Sequence, residues 1–118
     1  MTSRSRRSHA ALAESVRDYL DTMQDRRVTL AELETHFHVS GTQIKKTYRE
    51  HFGESLYADT RARKMRAAGE LLRRSDLTVL EVAGRFGYDN ASKFAAAFRA
   101  VLGASPTEYR EEDESAGV

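Results

Sequence analysis

The sequence has no cysteine and no tryptophan, and its single proline is Pro106. Without cysteine there is no disulfide framework, no cysteine-based zinc finger and no thiol chemistry. No run of about 18 apolar residues occurs, so no membrane span is expected. The N-terminus, MTSRSRRSHA, starts basic but leads into no apolar region, which excludes a secretory signal. There is no glycine-rich phosphate loop, and no Ser/His/Asp set can be placed. No segment alternates with period two in β-branched residues, so no strands are expected. An excess of one charge is lacking too: 19 basic residues against 18 acidic ones leave a net charge of +1.

The even total hides an uneven distribution. From Lys45 to Arg74 the basic residues are Lys45, Lys46, Arg49, Arg61, Arg63, Lys64, Arg66, Arg73 and Arg74, set against Glu50, Glu54, Asp59 and Glu70. The tail carries Glu111, Glu112, Asp113 and Glu114. Local patches, not the total, govern phosphate binding. From charge alone, a solvated salt-bridge surface is the simpler reading.

What is present is helical punctuation, repeated. Residues 1–9 read as a disordered basic arm. Leu12, Val16, Leu20 and Met23 recur at helical spacing and predict a helix over Ala10–Gln24. Thr29 with Glu32 and Ser40 with Gln43 have capping-box spacing. They open a short helix (Leu30, Leu33 and Phe37 inward) and a second one (Ile44, Tyr48 and Phe52 inward) that ends at Gly53. Only a short turn at His38–Val39 separates the two, as in a helix-turn-helix. A long helix over residues 55–74 follows, with Met65, Ala68, Leu71 and Leu72 as its apolar stripe. Asp59 and Thr60 stand where apolar anchors are wanted. Thr78/Glu81 and Asn90 then open two more helices, with Val79, Val82, Ala83 and Phe86, then Phe94, Phe98, Val101 and Leu102, inward. Gly103 closes the second, and Ser105–Pro106–Glu108 starts a last short helix.

The chain repeats itself. Thr29, Leu33, Phe37 and Val39 match Thr78, Val82, Phe86 and Tyr88; after the turn, Ile44, Tyr48, Phe52 and Gly53 match Phe94, Phe98, Leu102 and Gly103. The expected fold is therefore all-α: about seven helices forming two helix-turn-helix subdomains joined by a long central helix. The boundaries are 1–9 (arm), 10–54 (first subdomain), 55–74 (linker helix), 75–110 (second subdomain) and 111–118 (acidic, frayed tail). A helix of roughly 20 residues is about 30 Å long, near the roughly 34 Å turn of B-DNA.

With the apolar positions inward, the helix after Ser40 turns Thr42, Lys46 and Arg49 outward, flanked by Gln43 and Lys45. Lysine can reach guanine acceptors, glutamine can pair with adenine, and the threonine methyl can touch thymine. The second such helix, after Asn90, shows Ser92, Lys93, Ala96 and Arg99. Alanines read few base edges, so the first unit is expected to carry more sequence readout, the second more position and affinity. The N-terminus of each helix offers amides to a phosphate. Arg61 and Arg63 are candidate phosphate contacts. His36 and His38 lack the i, i+4 pairing of a metal-binding helix, and Glu32, Glu81 and Glu108 are explained by capping. Neither a metal, a cofactor nor an enzyme activity is expected.

The stretch RKMRAAGELLRRSDLTVLEVAGRFGYDNASKFAAAFRAVLGASPTEYR closely resembles the AraC/XylS family signature. Its telling residues are Arg63–Lys64–Met65, Ala68, Leu71–Leu72, Val82–Ala83, Gly87–Tyr88, Ser92, Phe94, Phe98–Arg99, Gly103, Ser105–Pro106 and Tyr109–Arg110. The resemblance covers roughly Ala10 to Arg110. It implies a transcription regulator that puts two recognition helices into successive major-groove segments of double-stranded DNA. Similarity to the short, stand-alone members implies a monomer, an activator that touches RNA polymerase, and a cytoplasmic location on the bacterial nucleoid. It places Thr42, Lys45 and Lys46 at base-reading positions of the first unit, and Ala91, Ser92 and Ala96 at those of the second. Three departures stand out: Glu34 in place of a small packing residue, Asp59–Thr60 in place of an aromatic–aliphatic pair, and Ala96 where arginine is common. No effector-binding domain is attached, so direct small-molecule sensing is not expected. The competing expectation is a helical adaptor that keeps the fold but binds polymerase or another regulator without DNA.

Overall fold

A computed structural model describes the backbone of residues 3–116 and the side chains of residues 8–112. It contains seven helices among the described residues: α1 (Ser3–Thr22), α2 (Leu30–Phe37), α3 (Gly41–Phe52), α4 (Leu56–Arg74), α5 (Val79–Arg85), α6 (Ala91–Leu102) and α7 (Pro106–Ala116). No strand occurs among those residues.

Two of the expected ends are corrected. Residues 3–9 of the expected arm are the first turns of α1, which starts at Ser3 and stops at Thr22. No glycine or proline interrupts the run into Ala10, and arginine is a good helix former, so nothing local stops the helix earlier. The acidic tail likewise continues α7 to Ala116; Met1, Thr2, Gly117 and Val118 lie outside the described residues.

The helices form two compact units. The first holds α1 and residues Arg27–Thr60; the second holds Gln24–Arg26 and the chain from Arg61 onward. The linker helix α4 is therefore not a separate segment: its first residues belong to one unit and its remainder to the other.

In the first unit Val16 and Leu20 of α1 pack on Leu33 of α2 and on Ile44 and Tyr48 of α3. Each such side chain gains about 1.5–3 kcal/mol on full burial. In place of a further apolar anchor, the buried Asp59 at the start of α4 accepts hydrogen bonds from Arg17 Nη2 at 2.8 Å and from the Tyr48 hydroxyl. Arg17 also lies over the Phe52 ring, 3.5 Å from its centroid. Asp59, a departure from the family pattern, is thus the anchor of a buried polar cluster.

In the second unit Met65, Ala68 and Leu72 of α4 meet Val82, Ala83 and Phe86 of α5 and Phe94, Ala97 and Phe98 of α6. Tyr109 of α7 lies edge-on to Phe98 with ring centroids 5.3 Å apart. Its ring also lies against Gly69: a Cβ there would come within 2.9 Å of Tyr109. Arg110 fastens α7 by donating to the carbonyls of Leu72 at 2.9 Å and Leu77 at 2.5 Å.

Candidate nucleic-acid interface

The first outward face is that of α3. Its start is set by Ser40, whose backbone is extended and whose hydroxyl accepts from the Gln43 amide at 3.1 Å. Its end is set by Gly53, at φ 78°, whose amide donates to the Arg49 carbonyl. In the turn before it, His38 sits at φ 57° and donates its amide to the Glu34 carbonyl at 2.9 Å. A non-glycine residue there costs on the order of 1 kcal/mol, which the closing of α2 against α3 offsets.

Ile44, Thr47 and Tyr48 are buried, so the opposite face carries exposed Thr42, Lys45, Lys46 and Arg49. Gln43 lies at the flank of this face. It is half-buried, and its Nε2 donates to the Thr47 hydroxyl at 2.8 Å. One hydrogen of that amide is thus already committed inside the helix. Ser40 is exposed, but its hydroxyl is occupied as the cap.

The capping residues of the first unit have partners in other helices and turns as well as in their own. Thr29 caps the Glu32 amide at 3.1 Å, but the Glu32 carboxylate accepts from the Tyr19 hydroxyl at 2.5 Å. By contrast, Thr78/Glu81 and Ser105/Glu108 bond reciprocally. Those backbone and hydroxyl contacts from Thr78 and Ser105 hold the Glu81 and Glu108 carboxyls below their ordinary range.

The second outward face is that of α6. Asn90 caps it by accepting from the Lys93 amide at 3.0 Å, and Gly103 closes it at φ 79°. The turn before it uses Gly87 at φ 84°; a Cβ there would meet the backbone of Asp25 and Arg26 at 3.2 Å. Phe94, Ala97 and Phe98 are buried. Ser92, Lys93, Ala96 and Arg99 are exposed and Ala91 is half-buried. The face therefore carries two cations and two small side chains.

The basic middle is less uniform than its sequence. Arg61 and Arg63 are half-buried on α4. Lys64 turns its ammonium toward the Arg26 carbonyl at 3.4 Å. Burial pulls its pKa below the ordinary lysine value, against the attraction of Asp25. Of the histidines, His36 packs its ring on Tyr19 with centroids 4.4 Å apart, and His51 Nε2 lies 3.0 Å from Glu14 Oε2. Among the described residues no group of acidic, histidine or cysteine side chains could hold a metal ion. Nor is any helix there long and apolar enough to cross a membrane.

One residue that the sequence marked only as a departure belongs to the site. Glu34 Oε2 accepts from the Gly41 amide at 2.5 Å, at the first residue of α3. Gly41 is buried, and a Cβ there would lie 2.6 Å from the Leu30 side chain. A larger residue there would make the Leu30 side chain shift. The amide expected to be open to a phosphate is already bonded.

Two short helix pairs, each ending in a capped helix with a cationic outer face, define a helix-turn-helix protein. A family model described as a helix-turn-helix domain matches residues 33–112. The chain belongs to the AraC-type family of helix-turn-helix transcription regulators, whose members are DNA-binding proteins and not enzymes.

Its relatives include the transcriptional activator AarP of Providencia stuartii, 29% identical over 87 residues, covering 74% of this chain and 64% of that protein. The regulator CdhR of Pseudomonas aeruginosa is 33% identical over 86 residues, covering 70% of this chain and 25% of its own length. The chain spans 32% of the length of the regulator YfiF of Bacillus subtilis, at 27% identity. Among solved structures, the C-terminal domain of AraT, a response regulator from Geobacillus stearothermophilus, superposes with a TM-score of 0.82 at 27% identity, covering 86% of this chain and 84% of that one. The DNA-binding domain of AdpA, solved in complex with a target DNA, has a TM-score of 0.78 at 28% identity, covering 88% and 93%.

Proposed function

We propose that this protein binds double-stranded DNA sequence-specifically through the exposed faces of α3 and α6, as a monomer, and regulates transcription. In this reading the two helices enter successive major-groove segments. Lys45, Lys46 and Thr42 reach base edges and Arg49 meets the backbone. Ser92, Ala91 and Ala96 contact the second segment with Asn90 at its rim, while Lys93, Arg99, Arg61 and Arg63 hold phosphates.

The observation that carries this reading is the α3 face: four polar or cationic side chains exposed on a helix that is capped at both ends and buried along its back. The likeness to a domain solved on DNA supports it. Activation of transcription is the role proposed for it, by similarity to the activator AarP, and we extend this to a contact with RNA polymerase in the bacterial cytoplasm.

Selection of bound duplexes from a random pool tests the reading. A recurring motif in the selected pool, with affinity that falls steeply as salt rises, is the expected result. Failure to retain any duplex at low salt, with RNA polymerase binding intact, would favour the adaptor.

A further inference from the structure

The two units differ at the entrance of their outward-facing helices. In the first, the exposed Glu34 carboxylate holds the Gly41 amide at 2.5 Å, and Ser40 holds the Gln43 amide. In the second, the position matching Glu34 in the repeat is Ala83, which is fully buried and brings no charge. A helix N-terminus carries partial positive charge and attracts anions. In α3 that attraction is already met, by an anion of the protein's own. The carboxylate also leaves a full negative charge one residue from Thr42, on the end of a recognition helix whose first residues reach into the groove.

We propose that Glu34 is a specificity-determining residue that holds the DNA backbone off the start of α3. Resting on the DNA-binding reading above, this assigns the first unit a particular division of labour. Its N-terminal end repels phosphate, so its grip comes from Lys45, Lys46 and Arg49 further along the helix and from base edges. Non-specific binding depends almost wholly on phosphate contacts. An unrelated duplex has no base contacts to hold the helix against a repulsion at the groove entrance, so the charge costs it more than the correct one. Gly41 leaves room for the contact: a Cβ there would meet the Leu30 side chain and come within 3.0 Å of the Glu34 carboxylate itself.

The test uses the full chain, a selected duplex and a duplex of unrelated sequence. Glu34→Gln keeps an acceptor for the Gly41 amide and removes only the charge. It should tighten binding to the unrelated duplex about threefold at low salt, as one exposed unit charge near a phosphate would, and to the selected duplex by less; equal gains for the two would overturn the proposal. The gain should shrink as salt rises from about 0.05 to 0.2 M. Glu34→Ala, which also frees the Gly41 amide, should tighten it at least as much. Glu50→Gln changes the net charge equally at the other end of α3 and should give a smaller gain.

Equal gains from Glu34→Gln and Glu50→Gln would overturn the proposal in favour of net charge alone. Weaker binding of the selected duplex by Glu34→Gln would overturn it too, making Glu34 a base-reading acceptor. Wild-type protein that binds no duplex at all would defeat the DNA-binding reading itself. Wild-type binding with unchanged Glu34 variants would defeat only this inference.

Discussion

Arg17 and Asp59 lie 42 residues apart in the chain and meet at 2.8 Å, with the Asp59 side chain only 3% exposed. The Tyr48 hydroxyl closes the cluster by donating to the same carboxylate oxygen. The pair joins α1 to the first turn of α4 beneath α3, so the first outward face rests on a buried charge. Breaking such a pair strands one ion. Asp59→Ala should destabilise the protein by about 3–5 kcal/mol in chemical denaturation. The double variant Arg17→Met, Asp59→Leu should lose much less. Equal losses would mean that the pair is not coupled.

The same cluster gives a pH signature. Desolvation comes first in raising the Tyr48 phenol from 10.0 to about 12, helped by its bond to Asp59 and opposed by Arg17. A phenol whose folded pKa is raised lends stability that is complete below pH 10.0 and is lost as pH rises toward about 12. Wild type should therefore lose stability across that window faster than Tyr48→Phe. Parallel pH profiles of the two proteins would contradict the assignment. Arg17, pulled down by burial but raised more strongly by Tyr48 and Asp59, stays charged throughout.

Thr60, next to Asp59, gained no such partner. Its Oγ1 is the buried side-chain polar atom without a hydrogen bond among the described residues. Thr60→Val keeps the shape and removes the unmet group, so it should stabilise by about 1 kcal/mol. In a thermal melt of a domain this size that is a rise of roughly 4 °C. A lower melting temperature would show that the hydroxyl has a role of its own.

These two neighbours show where sequence reading ends. The repeat, the caps at Ser40 and Asn90 and the closing glycines Gly53 and Gly103 were all legible, because each depends on residues within one helical turn of its end. Asp59 was not, because its partner Arg17 lies in another helix. Glu34 looked like a packing defect for the same kind of reason: the acceptor and the amide it serves belong to different helices. Periodicity put Gln43 at the flank of the face, but its bond to Thr47, along the helix, was not legible because it depends on the side-chain rotamer. The start of α1 was misjudged because polar, arginine-rich sequence is compatible with either helix or coil.

The two outward faces should separate by salt dependence. Alanine at Lys45 or Lys46 should weaken binding of a selected duplex and relax its sequence preference. Alanine at Lys93 or Arg99 should weaken binding to all duplexes alike and reduce the magnitude of the salt slope by about 1 each. Titrations at four or five salt concentrations would check this. Identical behaviour of the two sets would remove the distinction between a reading face and a holding face.

The most direct measurement maps the surface itself. Backbone amide resonances of the whole protein are followed by NMR as a selected duplex is added. A DNA-reading role for both faces predicts large shifts at residues 42–49 of α3 and residues 91–99 of α6, with small ones along the outer face of α7. Shifts restricted to one of the two helices, or appearing mainly on α7, would contradict it.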